Sequence, residues 1–384
     1  MDLTTLSLAV GLIIALLGFD TMLHPRDVVL EAQVASRVEK VVITEEMLTD
    51  ILREEVGRVS DTQSVIARPI VQVGRPDGIA ISIAEALHVP SVAYAFQSQL
   101  GIQPDHIKLR LFAEESTAKI LVTGFGSKRF NSFQQEVVQQ KDESIVALAH
   151  RASMIAIARI DPYITALNLM QRHADDQDFH DCEAIIQYAM AQMPPTPLNA
   201  ERSRFENLRG IIALFRNDPA TAHALFHAAM VSDPTNPVPP LNAAFANMAL
   251  NQDPEAAEHM ADLIATNPPE DKTLLSTAYM TQAAALLGSG DMAGAEKAIA
   301  QSVALYPDSS TAYALWSEIK RSAGDQAAAA KLQAEALAAT KYFENYAEIA
   351  ALYFRMAWRG GEPVMRSPFG NPPPLNVRGP KSRG

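Results

Sequence analysis

The longest uninterrupted apolar run opens the chain. Leu3 to Phe19 reads LTTLSLAVGLIIALLGF and carries no charge. As a helix those residues span about 26 Å, and continuing to Leu23 gives about 31 Å, against a hydrocarbon core of about 30 Å. Asp20 falls within the extension, where it can sit at headgroup level. The start, Met-Asp-Leu, lacks a basic residue, and the exit, Gly-Phe-Asp-Thr-Met, lacks a small-x-small cleavage site. The pattern therefore predicts one uncleaved transmembrane helix over 1–23. No Lys or Arg precedes the run, whereas Arg26, Arg37 and Lys40 follow it. The positive-inside rule then places the bulk of the chain in the cytoplasm, and the style of the sequence suggests a single-pass anchor in the inner membrane of a bacterium. A periplasm-facing chain of the same architecture is the alternative.

From 28 to about 160 the periodicity alternates between helix and strand, which predicts a small α/β domain. Thr44 is placed to cap a helix over 45–58, with Glu45 and Glu46 in its first turn and Met47, Leu48, Ile51, Leu52 and Val56 on one face. Val65–Val73 reads as an edge strand because it contains Pro69. Ile79–Leu100 reads as two short helices broken at Pro90. Ile107, Leu109 and Leu111 alternate with Lys108 and Arg110, and Lys119–Thr123 follows a polar turn, so 107–123 is predicted to be a hairpin. Phe130–Gln140 and Asp142–Gln171 are predicted helical.

The second half is self-similar. Ala222, Ala256, Ala295 and Ala329 recur at intervals of 34, 39 and 34 residues, and Pro234, Pro268 and Pro307 keep the same register. Twelve residues before each alanine stands a small residue: Gly210, Ala244, Ala283 and Ser317. Small side chains let paired helices approach closely. Five residues before each alanine stands Asn217, Asn251, Gly290 or Gly324, types that tolerate the left-handed conformation ending a helix. Asp218, Asp291 and Asp325 come next, each able to cap a second helix. The prolines then stop that helix.

This pattern resembles the tetratricopeptide repeat (TPR). The 34-residue spacing, the small residues, Phe226 and the terminal prolines carry the resemblance. It divides the chain into units 163–196, 203–236, 237–270, 276–309 and 310–343, with Tyr279 and Tyr313 at aromatic positions, Cys182 at a small-residue position and Lys341 where a proline is expected. Residues 344–358 are predicted to form one more helix that caps the array. Beyond it, 359–384 is rich in Pro and Gly and carries five basic residues against one acid, a disordered basic tail. The fold class is thus mainly α: a TPR-type α-solenoid after a transmembrane helix and an α/β domain.

The resemblance implies an interaction module whose first helices line a concave groove. Its position rule places Asn207, Ile211, Leu214, Leu241, Phe245, Met248, Met280, Ala284 and Leu287 in that groove. These residues are mostly apolar, and Met is an adaptable contact residue. They suit an amphipathic or apolar segment of a protein partner, or of the chain itself. Ile211 and Leu241 stand where a groove for acidic chaperone tails would need Lys, Asn or Arg. Self-association through the repeats is a further option.

Composition narrows the function classes. The chain has 384 residues, 32 Lys and Arg against 44 Asp and Glu, and a net charge of −12. Phosphate contacts need clustered basic residues, so a nucleic-acid partner is not expected. The lone Cys182 excludes an intramolecular disulfide and a cysteine-only zinc site. Gly124-Phe-Gly-Ser-Lys-Arg129 places glycines beside basic residues but matches neither a P-loop nor G-x-G-x-x-G. An enzyme or nucleotide-binding site there is the alternative from another class. His223 and His227 have a metal-compatible spacing without the glutamate of H-E-x-x-H, and Asp175, Asp176 and Asp178 read as an acidic cap. No metal, cofactor or catalytic set is expected. The reading is a membrane-anchored adaptor that binds a protein partner.

Overall fold

The computed structural model describes residues 11, 27–35, 43–62, 64–65, 72–73, 105–114, 117–125, 132–174, 176–194, 196, 198–339 and 346–350. They belong to two compact units, one within 1–61 and 68–165, the other within 62–67 and 166–384. The predicted anchor, apart from Gly11, lies outside the described residues, as do the predicted helices of 79–100 and the tail 359–384. Among the described residues no helix is long and apolar enough to cross a membrane.

The first unit contains β1 (Asp27–Val34), α1 (Glu45–Ser60), β2 (Gln72–Val73), β3 (Asp105–Glu114), β4 (Thr117–Phe125), β5 (Phe133–Val138) and α2 (Ile145–Ile160). The sheet order is β2-β1-β3-β4-β5. β1 runs parallel to β2 and β3, whereas β3, β4 and β5 are antiparallel neighbours. Leu109 pairs with Val122 and Leu111 with Ile120, and all four side chains are buried. α1 and α2 pack against each other and against the sheet. Thr44 caps α1 by accepting from the Met47 N–H at 3.2 Å, which leaves Leu48, Ile51, Leu52, Val56 and Val59 on its buried face. The buried Glu55 carboxylate accepts from Arg58 at 2.9 Å and lies 2.7 Å from His150 Nδ1.

Three expectations change here. Residues 133–138 form strand β5, not helix: their exposure alternates, and the free edge of β4 supplies a ladder from Lys119 to Gly124. Gln134, Gln135 and Glu136 have good helix propensity, but pairing overrides it. The helix expected over 142–171 is two helices, α2 and α3 (Pro162–Arg172). Asp161 adopts φ −139° because the following proline disfavours helical geometry, and its carboxylate then accepts from the Ile164 N–H at 3.2 Å. Of the strand expected over 65–73, only Gln72–Val73 is strand among the described residues, and Val65 lies in a bend. β1 had no clear alternation to betray it, as befits a strand flanked by parallel neighbours.

The second unit is a stack of helical hairpins. α3 leads into it, followed by α4 (His180–Gln192), α5 (Ala200–Phe215), α6 (Pro219–Ser232), α7 (Val238–Ala249), α8 (Asp253–Thr266), α9 (Lys272–Ser289), α10 (Met292–Leu305), α11 (Ser310–Ser322) and α12 (Gln326–Ala338). α5/α6, α7/α8, α9/α10 and α11/α12 are the hairpins, and α6, α8 and α10 each also pack on the next hairpin. The four turns share one device. Asn217, Asn251, Gly290 and Gly324 have φ of 57°, 63°, 91° and 87°. In three turns the next residue caps the second helix: Asp218, Asp291 and Asp325 accept from the N–H of Thr221, Gly294 and Ala328 at 2.9–3.0 Å. The α7/α8 turn lacks such a cap, since Gln252 makes no side-chain capping bond.

The small residues serve different neighbours. Gly210 makes room for Phe226: a Cβ at Gly210 would lie 2.3 Å from the Phe226 ring. Ser317 does meet Ala329, donating to its carbonyl at 2.8 Å. Cys182 is buried and its Sγ lies 3.2 Å from the Ala166 carbonyl as donor. Burial, then the charges of Glu183 and Asp181, push its thiol up to about 12. After α12 the expected capping helix is absent at 346–349, which form a turn closed by the Ile349 N–H on the Tyr346 carbonyl at 3.0 Å. Residues 344, 345 and 351–358 lie outside the described residues.

Two measurements check this packing. Gly210→Ala gains about 1 kcal/mol of helix propensity, but overpacking against the buried Phe226 ring outweighs it. A net loss of about 1–2 kcal/mol is expected in urea melts, partly recovered by adding Phe226→Leu. Cys182 is expected to resist a thiol reagent at neutral pH in native buffer and to react at once in denaturing urea. Rapid labelling of the folded chain contradicts its burial.

Candidate functional site

The most developed polar site of the second unit is built by two asparagines on the first helices of neighbouring hairpins. Asn207 lies on α5 and Asn242 on α7, and each is 1% exposed. Asn in a helix interior has no local reward, because its side chain competes for backbone groups. Here both carboxamides turn outward from their own helices onto a third piece of chain.

The Ala350 N–H donates to Asn242 Oδ1 at 2.8 Å. A backbone N–H can only donate, so this bond fixes which end of the Asn242 amide is oxygen. Asn242 Nδ2 is then directed at two acceptors, Asn207 Oδ1 at 2.8 Å and the Glu348 carbonyl at 2.8 Å. With its oxygen facing Asn242, Asn207 turns Nδ2 to the same Glu348 carbonyl at 3.2 Å. The four bonds form one consistent network. Asn242 bridges the carbonyl of residue 348 and the N–H of residue 350, which is main-chain recognition and reads no side chain.

The side chains of the held segment find separate partners. The Glu348 carboxylate accepts from the Ser64 hydroxyl and from the Val65 N–H at 3.4 Å. The Tyr346 hydroxyl donates to Asp271 Oδ2 at 2.9 Å, while Oδ1 of the same carboxylate caps α9 through Thr273 and Leu274. Ala347, Glu348, Ile349 and Ala350 are all buried. The segment therefore touches α5, α7 and the N-cap of α9, the first helices of three successive hairpins.

The nine residues assigned to a groove fall on those same helices: Asn207, Ile211 and Leu214 on α5, Leu241, Phe245 and Met248 on α7, and Met280, Ala284 and Leu287 on α9. All are at most 9% exposed, so they present no open apolar surface. Only Asn207 of the nine belongs to the clamp. Asn242, next to Leu241, escapes the position rule, which selects 241 and leads to apolar contacts. The signal that marks it is a second helix-interior asparagine 35 residues after the first.

The described residues of the other candidates make the following contacts. Gly124 pairs with Phe133 across the strands, and a Cβ there would lie 2.1 Å from the ring. Arg159 stacks over that ring at 5.4 Å. Residues 126–131 of the glycine-basic stretch lie outside the described residues. His223 and His227 on α6 lie near His259 on α8, whose basicity is lowered by burial and by the charges of the other two, with Asp262 opposing. Among the described residues no group of three His, Cys, Asp or Glu side chains can hold a metal ion. Asp176 accepts from the Asp178 N–H and from His173, which hold its carboxyl below the usual range, and Asp178 accepts from the His180 N–H at 3.3 Å. Asp175 lies outside the described residues.

No family model matches the chain, and no curated protein matches it. Solved structures similar to it include the first TPR of Spaghetti (RPAP3) bound to an HSP90 peptide, 20% identical with a TM-score of 0.30 over 33% of this chain and 98% of that one. A crystal structure of MamA is 19% identical with a TM-score of 0.35, over 43% and 91%. PilW, a widely conserved type IV pilus biogenesis factor, is 20% identical with a TM-score of 0.39, over 51% and 87%. At these scores the likeness carries no argument of its own. The TPR-like architecture rests on the hairpins, left-handed turns and caps described above.

Asn242→Asp removes both donations and puts a carboxylate against the Glu348 carbonyl. Amide exchange across 346–350 is expected to rise at least tenfold, with exchange in α11 and α12 unchanged, by peptide-level hydrogen–deuterium exchange. Asn207→Asp is expected to do less, since Asn207 makes fewer of the bonds.

Proposed function

We propose that the chain is a membrane-anchored adaptor that binds a protein partner on the face formed by the first helices of its repeats. The observation that carries the reading is the Asn207–Asn242 pair, which holds an irregular segment of polypeptide by its main chain. A carboxamide that bridges a carbonyl and the N–H two residues on suits any non-helical peptide, whatever its sequence. The side-chain contacts around it then supply selectivity. The reading departs from an amphipathic helix as ligand, because a helix has its N–H and carbonyl groups already paired along its interior.

The anchor reading rests on the charge-free run Leu3–Phe19 and the basic residues after it. An inner-membrane anchor with the repeats on the cytoplasmic side confines whatever they hold to a thin layer. That raises its effective concentration toward other membrane-bound components. No step in this mechanism needs a cofactor.

The test is affinity purification of the tagged full chain from native membranes, wild type beside Asn242→Asp. A protein retained by the wild type and lost from the variant, with helical circular dichroism unchanged, is the expected outcome. The same set of proteins from both overturns the site. A reporter fused after Gly384 and active only in the periplasm reverses the sidedness while leaving the adaptor reading in place.

A further inference from the structure

The segment held by the clamp is out of sequence with the hairpins it touches. It follows α12, the last described hairpin helix, yet its bonds go back to α5 and α7, over sequence separations of 141, 106 and 108 residues. A terminal cap would extend the stack beside α11 and α12. Residues 346–349 instead form a non-helical turn on the first helices of earlier hairpins. They occupy those helices as a bound peptide would.

We propose that residues 346–350 are an intramolecular ligand of the Asn207–Asn242 clamp, which closes the partner site until a partner segment of similar chemistry displaces it. The inference rests on the adaptor reading. Three features specify the competing segment. Its main chain must offer a carbonyl and, two residues later, a free N–H. Its side chains must follow the occupied positions: a phenol for Asp271, a small residue at 347, a carboxylate for Ser64 and Val65, an aliphatic at 349 and a small residue at 350. Ala347 and Ala350 are each 0% exposed, so a larger side chain at either position would have to be taken into the protein's packing.

The covalent link sets how strongly the segment competes. Seven residues, 339–345, separate Ala338 from Tyr346 in sequence. If that link acts as a short flexible tether, the effective concentration is on the order of 1 mM. If the tethered and free segments bind the open clamp equally, at about 1 μM, a free peptide is weakened about 1000-fold by the closed form. Severing the tether and diluting removes the advantage.

The probe is a fluorescein-labelled peptide of residues 345–351, Asn-Tyr-Ala-Glu-Ile-Ala-Ala, read by polarisation against the full chain in detergent. A site for a specific protease replaces 340–345, and the chain is measured before and after cutting. Cutting is expected to raise the affinity for the peptide at least tenfold, with helical circular dichroism retained. Asn242→Asp in the cut chain is expected to abolish binding, and Glu→Lys in the peptide to weaken it at least tenfold. An uncut chain carrying Glu348→Lys with Ile349→Asp is expected to bind the peptide as the cut chain does.

Equal affinity before and after cutting overturns the closure. So does a released piece that stays associated through dilution and excess peptide, because the segment is then a permanent part of the fold. Loss of helical structure on cutting has the same meaning. The two readings fail separately. Asn242-dependent partner capture by the intact chain without any effect of cutting leaves the adaptor and removes the closure. Peptide exchange that responds to cutting, without an Asn242-dependent partner, leaves an internal latch and removes the adaptor.

Discussion

Two amide side chains taken out of water need partners, and in the second unit two helices and the segment 346–350 meet to supply them. An unpaired buried amide costs roughly 1–3 kcal/mol. Asn207 and Asn242 are both almost fully buried, and neither is satisfied by its own helix. They satisfy each other once, through the 2.8 Å bond between them, and the remaining donors and acceptor need a third element. An apolar side chain cannot serve. A main chain with its own unpaired carbonyl and N–H can, and the turn at 346–350 supplies both. The constraint runs in both directions: a segment with free backbone groups needs the asparagines as much as they need it.

The hairpins make that meeting possible by fixing where the two helices lie. Each left-handed turn residue reverses the chain within two or three positions, and an aspartate cap in three of the four turns anchors the returning helix. Phe226 packed over Gly210 brings α6 close against α5. The side chains then repeat on equivalent faces of α5, α7 and α9, so that residues 35 apart in sequence stand within hydrogen-bond distance. Asp271 shows the same economy at the edge of the site. One carboxylate oxygen caps α9 while the other receives the Tyr346 hydroxyl, so the helix start and the segment share an anchor.

What the sequence made legible was local. Asn217, Asn251, Gly290 and Gly324, with the aspartates that follow three of them, are read correctly because a left-handed turn and an N-cap depend on a few adjacent residues. The hairpin of β3 and β4 is legible for the same reason, through its alternation and its polar turn. Strand β5 is not, because its identity depends on the free edge of β4 and its residues lean toward helix. Pro162 marks a helix start that the long apolar periodicity across it conceals. At the site, the repeat register leads to Asn207 but passes over Asn242, since a position rule carries average geometry and not the direction of a particular amide. That residues 346–350 return to α5 and α7 is a contact across more than a hundred residues, and no local pattern encodes it.

The character of the clamp also bears on why a chain would bind its own segment. Recognition through main-chain bonds alone is indifferent to sequence, so an open clamp would accept any non-helical segment that offers a carbonyl and, two residues on, a free N–H. Covering it with a tethered segment raises the threshold for every competitor by the same factor. Competitors that also match the carboxylate, the two alanine-sized positions and the phenol recover that factor through contacts the others lack. Closure thus converts a general affinity for backbone into discrimination, because specificity is a difference between ligands and the tethered copy sets the reference against which each one is measured. A segment too well fitted would never leave, and one too poorly fitted would not close the site. The mixed character of residues 346–350, with a few charge-assisted bonds and small apolar side chains, suits an occupant held by several modest interactions, none of which is hard to replace.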